Sequence, residues 1–559
     1  MAGEKKVTKR TSQPFHKRLF LVGLTVMILF VLPGGLTEVV SLPRQLLLAV
    51  LTSYLASYAI PAIWRQLRVK PDFVFLALTF FALWLWIALL LSGSGIREQL
   101  MGQYGRNTGA ITYTCLLIVL IYLFFFADRT LENSISRCLA ASSAIVVLYA
   151  ILQRFGLDPI PWNNQSSWVV GTFGNPNFLA AFLGISTVVT IGLLLQSHSS
   201  KEKFFLLTLL VGQVAGNLLT QSRQGLMIAL AGSFTIVYLI VLKRGLKREV
   251  IPVTFIYLAL AVLALMGTLN RGPLSSLFYE VSVTYRGDYW RAGIAMGIEK
   301  PLLGQGIDQY GDNYRAFRDA AAGLRRANDV TSNSAHNVYI DLLSGGGFPL
   351  FLAYLLITSL SLFFGIKSIV STKEIDHVRL SIVAAFASYL IQSIISINQL
   401  TLAFIGWTMM GVIFSWYRES KSIGARSSQI SVSKTPKLLS LLLIPIFIFP
   451  TTQAVFIDSR YYQLVREGDL LAVIDYVSDT SVDNEYRNLV VASLGGEDSS
   501  RFKRDLIEIS LKEDPEDVVT LTLLRRLLIE EGDLIEAEKV RLRQIRLDPF
   551  NPEIQSPIR

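Results

Sequence analysis

Cysteine and histidine are nearly missing from this 559-residue chain, which has two of the first and four of the second. Cys115 and Cys138 both fall inside apolar runs, so the parts outside a membrane have no thiols with which to build a disulfide framework. No cluster of His, Cys, Asp and Glu has metal-ligand spacing, and neither a metal nor another cofactor is expected. Charge is scarce as well. Only 17% of residues are charged against 52% hydrophobic, and the mean hydropathy of +0.46 excludes a soluble protein of this length. The expected class is an all-α, polytopic membrane protein, with no nucleic acid among its partners.

What the chain does contain is apolar runs about as long as a helix needs to cross roughly 30 Å of hydrocarbon. Thirteen recur between Leu19 and Phe456, with cores at 19–37, 45–63, 73–91, 110–127, 135–152, 177–195, 204–221, 225–242, 250–269, 348–366, 379–397, 400–417 and 438–456. The first follows basic residues as a signal peptide would. It has no small-residue cleavage site and reads as a retained helix. With the N-terminus cytoplasmic, the loops on that side carry 25 Lys or Arg, whereas the short loops opposite carry five: Arg44, Arg97, Arg106, Arg154 and Arg223. This asymmetry fits the positive-inside rule and puts residues 270–347, and everything beyond 457, on the outer side of the cytoplasmic membrane.

Composition changes abruptly near residue 457. Residues 457–559 have 14 basic against 22 acidic side chains, a net of −8, whereas 1–456 have a net of +18. Two units are therefore expected, a membrane domain over 1–456 and a soluble helical domain over 457–559. In the second, Asp514-Pro515 and Asp548-Pro549 are 34 residues apart, the tetratricopeptide period, with Gly532, Ala537 and Pro549 at that repeat's offsets. A short helical bundle without true repeats is the alternative. Either version lacks a catalytic constellation and reads as a docking surface for a protein partner.

The polar interval from Tyr285 to Pro349 is too long and too charged for a spacer between spans. It contains Arg286, Arg291, Arg315, Arg318, Arg325, Arg326 and His336. Arg286 and Trp290 stand at helical spacing with Arg291 alongside, and WRAGIAMGIEK reads as an amphipathic helix ending at Pro301 before a glycine turn. Arg223, in LLTQSRQGL between two apolar runs, must lie at the membrane surface, where it either snorkels or belongs to an anion site. Two arginines converging on one place would suit a pyrophosphate, because the planar guanidinium binds such oxygens bidentately. His336 follows TSNSA where the chain returns to apolar sequence, and Asn333 or Ser334 is expected to cap the helix that starts there. A lone histidine is more often an ordinary polar residue; beside arginines, a neutral imidazole could serve as a general base.

The ordered series SRQG, YRGDYWRAGIAMGIEKPLLGQG and SAHNVYIDLLSGGGFP resembles the O-antigen ligase and O-antigen polymerase superfamily of bacterial membrane glycosyltransferases. QYGRNTGA at 103–110 and GTFGNPNFLAAFL at 171–183 add to the likeness, which covers most of residues 90–420 by motif order. The resemblance implies a helical fold of the C-type glycosyltransferase (GT-C) class and a role in polysaccharide biosynthesis at the cell envelope. It implies transfer from an undecaprenyl-diphosphate-linked glycan, without nucleotide sugar or metal, to a glycan, lipid or protein acceptor. The family's essential histidine then corresponds to His336 and its essential arginines to Arg223 and Arg286, with Arg106, Arg291 and Asn337 as helpers in binding substrate. Ligation to lipopolysaccharide core, polymerisation of repeat units and transfer to protein share these motifs. The acidic C-terminal domain departs from the plainest ligases and puts a lipid A-core acceptor in doubt. Transport of a small anion such as bicarbonate is the alternative from another class; it predicts ionisable residues at mid-span and internal symmetry, neither of which is apparent.

Overall fold

The computed structural model describes residues 13–68, 72–160, 162, 169–245, 247–268, 271–273, 275, 281–325, 332–421, 441, 444–479, 482–494 and 500–558. All regular structure among them is helical. Ten helices run through the first half of the chain: α1 (Phe15–Leu29), α2 (Ser41–Arg68), α3 (Phe73–Leu91), α4 (Ile96–Met101), α5 (Ala110–Phe126), α6 (Arg129–Arg154), α7 (Pro176–Gln196), α8 (Ser200–Leu219), α9 (Arg223–Lys243) and α10 (Lys247–Thr268). The polar interval contributes α11 (Val281–Glu299), α12 (Tyr310–Phe317) and α13 (Ala320–Arg325), and three long helices follow: α14 (Val338–Ser371), α15 (His377–Ile395) and α16 (Leu400–Ser420). Among the described residues nine helices are long and apolar enough to span a membrane, namely α2, α3, α6 to α9 and α14 to α16, with α5 shorter at 17 residues. The expected count was thirteen. Of the other expected spans, α1 and α10 are helical within them, and the last begins in a stretch outside the described residues.

The first span was expected to reach residue 37, yet α1 stops at Leu29. Its end is closed by Arg44 in α2, which is fully buried and donates to the carbonyls of Ile28 (3.2 Å), Phe30 (2.9 Å) and Thr172 (2.6 Å) and to the Thr401 hydroxyl (2.8 Å). A buried cation is tolerated there because orphan carbonyls at a helix C-terminus carry the complementary partial charge. The residue counted as an outer-loop charge is thus an internal clamp.

Helices α7 and α9 approach closely at SRQG. A side chain at Gly225 would strike the Ala180 carbonyl and Asn217 of α8, so glycine is what lets the backbones meet. Charged residues of the long apolar helices lie within about two turns of a helix end, from Arg44 and Glu132 to Arg379 and Arg418, and leave mid-span apolar.

Beyond residue 441 a π-helical turn (Ile444–Ile448) leads into α17 (Phe449–Glu467), which crosses the expected 456/457 boundary without a break. Five helices follow: α18 (Leu470–Val477), α19 (Asn484–Ser493), α20 (Ser500–Glu513), α21 (Val518–Glu530) and α22 (Leu534–Leu547). They pack consecutively around their own core, with Gly532 at φ +77° in the α21–α22 turn and Ala537 fully buried. This unit docks on the polar interval. The Asp548 carboxylate, itself buried, accepts from Arg318 Nη2 (2.7 and 2.9 Å) and Nε (3.1 Å), with Arg315 Nη1 at 3.5 Å.

Candidate functional site

The polar interval is held by its glycines. Helix α11 ends at Glu299, just before Pro301 as the sequence predicts, and the turn 301–306 then lies backbone to backbone against Ser344–Phe348. Gln305 N–H donates to Ser344 O (2.7 Å), Gly306 N–H to Gly345 O (3.1 Å) and Phe348 N–H to Pro301 O (2.8 Å). These bonds are available because α14 is broken at Gly347, whose φ is +71°. A Cβ at Gly304 would lie 2.5 Å from the Gly345 carbonyl carbon, and one at Gly347 would lie 2.6 Å from the Pro301 oxygen. The Trp84 indole of α3 donates to both Leu302 O and Gly346 O, at 3.1 Å each, and fastens the junction to the bundle.

Around that junction stands a buried ion pair that joins two distant motifs. Arg106, from QYGRNT, pairs with Asp308, from the GQGID turn, and also donates to the Asn333 carbonyl in the segment leading to His336. Asp308 further accepts from the Gln103 N–H (2.9 Å) and the Thr108 hydroxyl (3.0 Å). Both side chains are almost inaccessible to water, and breaking such a pair from one side costs about 3–5 kcal/mol. Arg106 therefore fixes the His336 segment in place.

His336 itself has a left-handed backbone, φ +52°, a conformation that costs a non-glycine residue about 1–2 kcal/mol. Asp341, one helical turn into α14, supplies the restraint: it accepts from the Ala335 N–H (2.7 Å) and the Ser334 hydroxyl (2.8 Å), while Ser334 Oγ accepts from the His336 N–H (2.9 Å). The imidazole stacks on Tyr289 of α11, with ring centroids 5.4 Å apart. Tyr289 is held in turn by Tyr314, and its carbonyl accepts from the Tyr310 hydroxyl (2.7 Å). The ring is half-buried, with strain stored where over-determined surroundings keep it.

The predicted site residues separate into two groups. Arg286 precedes Tyr289 by three residues, so α11 carries both at adjacent positions of one face below His336. Arg223 is the exposed first residue of α9; the preceding Ser222 hydroxyl donates to Asn177 at the start of α7 (2.7 Å). The other three have structural engagements. Arg291 donates to Asp288 (2.5 Å) and Asp319 (2.7 Å), which ties α11 to the loop before α13. Asn337, not Asn333 or Ser334 as expected, caps α14 by accepting from the Tyr339 and Ile340 N–H groups, because His336 is left-handed and helical geometry begins only at Val338. Arg106 has Asp308 as described. Sequence reasoning missed Asp308, Asp341, Tyr289 and Asp548; only Asp341, five residues after His336, stood close enough to its partner to be found.

A cavity of about 470 Å³ opens beside Arg106, between the loop after α1, Ile160 and Trp162, residues 173–178 and residues 397–399. Of the predicted residues only Arg106 lines it.

Long apolar helices with a polar, strained segment between them define a multi-pass membrane protein. Residues 204–355, a segment that contains SRQG, α11, the glycine turn and His336, match the family model described as O-antigen ligase, which supports a place for this segment in the O-antigen ligase superfamily. No curated protein matches the chain.

Proposed function

We propose that this protein transfers a glycan from an undecaprenyl-diphosphate carrier to an acceptor hydroxyl at the outer face of the cytoplasmic membrane, in the manner of an O-antigen ligase. The reading is supported by one observation: the matched segment contains Arg223, Arg286 and His336, and α11, which carries Arg286, stacks its Tyr289 on the His336 ring. His336 takes the proton of the acceptor hydroxyl as its oxygen attacks the anomeric carbon. The bond from that carbon to the diphosphate oxygen breaks, and the charge growing on the departing lipid diphosphate is met by Arg223 and Arg286. Asp341, Ser334 and Tyr289 keep the imidazole where it is needed, and Arg106 acts as a positioning residue through Asn333. The prenyl tail stays in the bilayer while its head reaches the arginines.

Ligation, polymerisation of lipid-linked repeat units and transfer to protein differ in the acceptor and share this chemistry. Confinement of charge to helix ends supports reaction at the surface over passage of an anion through the bundle. The test is reconstitution in proteoliposomes with an undecaprenyl-diphosphate glycan and a panel of glycan, lipid and protein acceptors. His336→Ala should lower transfer by roughly 10²–10⁴-fold, as loss of a general base does, and Arg223→Ala and Arg286→Ala should also impair it. Equal transfer by all variants would remove the catalytic assignment. Uptake of a labelled anion in place of transfer would favour the transporter.

A further inference from the structure

The 470 Å³ cavity beside Arg106 takes no part in the chemistry above, yet its volume falls within the roughly 300–1,000 Å³ of small-ligand sites. Its charged lining residues are already committed. Glu38 accepts from the Leu42 (2.6 Å) and Val40 (3.3 Å) N–H groups at the start of α2, and Arg106 is bound to Asp308 and Asn333. Among the described lining residues the one cation, Arg106, is paired with Asp308, which disfavours a phosphate, and an acyl chain would strand amides without water. What the walls do offer is aromatic surface, from Trp162, Phe173, Phe178 and Tyr462, together with side-chain amides.

Those amides are fixed in complementary senses. Asn175 must turn its oxygen to the Asn177 N–H (2.8 Å) to cap α7, which leaves its NH₂ as a donor. Asn398 gives its NH₂ to the Tyr113 hydroxyl (2.9 Å), which leaves its oxygen as an acceptor. A preset donor and acceptor between aromatic faces match a molecule with a hydroxyl rim and apolar C–H faces. We propose that this cavity is a saccharide subsite that holds neutral sugar rings next to the His336 segment. The assignment rests on the glycan-transfer reading, and the rings can come from the donor glycan or from a glycan acceptor. One wall, Tyr462, belongs to α17. It stands one turn after Asp458, which is buried and accepts from the Thr37 N–H (2.7 Å), the Tyr104 hydroxyl (2.8 Å) and the Tyr486 hydroxyl (2.7 Å). The C-terminal helices thereby help to shape the cavity.

The experiment places a photo-crosslinking benzoylphenylalanine at Phe178 of the full-length protein in the cells that make it, with the same residue at Phe80, on an exposed face of α3, as control. Periodate-sensitive glycan adducts at 178 and not at 80 are expected, in the wild type and equally in His336→Ala; the second background keeps this outcome separate from failure of the catalytic assignment. Adducts that carry prenyl diphosphate identify the donor, and adducts without it the acceptor. In the reconstituted assay Phe178→Ala and Tyr462→Ala should raise KM for the sugar substrate at least tenfold with kcat within threefold. Lipid adducts alone, no adduct, or a fall in kcat at constant KM would each overturn the subsite.

Discussion

Replacing Asp548 by Ala should undock the C-terminal helices from the polar interval. The Asp548 carboxylate is fully buried, the Arg318 side chain is 2% exposed, and the pair is joined bidentately, with Asn551 Nδ2 also donating to Asp548 at 3.1 Å and Arg315 close by. Removing the carboxylate strands a guanidinium away from water, a loss of about 3–5 kcal/mol when one partner of a buried pair is deleted. At 1.4 kcal/mol per decade, that shifts the docking equilibrium by roughly two to three and a half orders of magnitude. Hydrogen exchange in nanodiscs reads the change: amides of 310–325 and 534–554 should lose protection together, while those of α7 and α16 keep theirs. The double replacement Arg318→Met with Asp548→Leu should recover much of the protection, since an apolar pair of similar volume avoids the stranded charge. Unchanged protection in Asp548→Ala would refute the claim that this contact holds the two units together.

Other outcomes follow from local geometry. Gly347→Ala combines a positive φ with a clash against the 301–302 carbonyls and should destabilise the protein by at least ~2 kcal/mol in denaturant titrations. His336→Gly should be more stable to denaturant than His336→Ala, by about 1 kcal/mol, because glycine relieves the left-handed strain; both should be impaired in transfer to the same degree. At the docking surface Glu98 is pushed up to about 7 by desolvation and by the carboxylates of Asp514, Asp483 and Asp517, with Arg97, paired to Asp483, opposing. A carboxyl raised in the folded state contributes stability that is present below its unfolded pKa and lost as pH rises through about 7, so docking should be tighter at pH 5 than at pH 8 by the same exchange measurement. Glu98 keeps solvent access, which shrinks the size of the effect and leaves its sign. Cysteine placed at Ala320, an exposed position of α13, should react with membrane-impermeant reagents in intact spheroplasts.

The sequence revealed the parts of this site that local rules control. The end of α11 before Pro301 and the glycine turn after it were legible because proline and glycine act on their own backbone. The cap of α14 was misplaced by a few residues, since nothing in SNSAHN announces that His336 is left-handed; that conformation depends on Asp341, which folds back from α14 to meet Ser334 and Ala335. Partnerships across the chain were out of reach. Arg106 was expected to help in binding substrate, and the pairing of its side chain with Asp308, 202 residues away, lies at a distance that no periodicity spans. Arg44 looked like an outer-loop charge and closes the end of α1, because orphan carbonyls leave no trace in residue types.

Asp548 shows how a correct local pattern can conceal its use. It marked one end of a 34-residue spacing and was read as repeat punctuation, yet its carboxylate grips the polar interval through Arg318. Asp458, on a helix that passes from the last apolar run into the C-terminal unit, does the equivalent for the loop after α1 and for Tyr104 in QYGRNT. Both grips land on segments that also carry Arg106 or lead towards His336. A partner that pulled on the C-terminal helices would therefore load the same segments that position the imidazole, whereas a freely tethered domain would leave them undisturbed. Its acidic helices are built into the loop end of the bundle, and changes there should be felt as changes in KM or kcat even though no residue beyond 457 is assigned a chemical step.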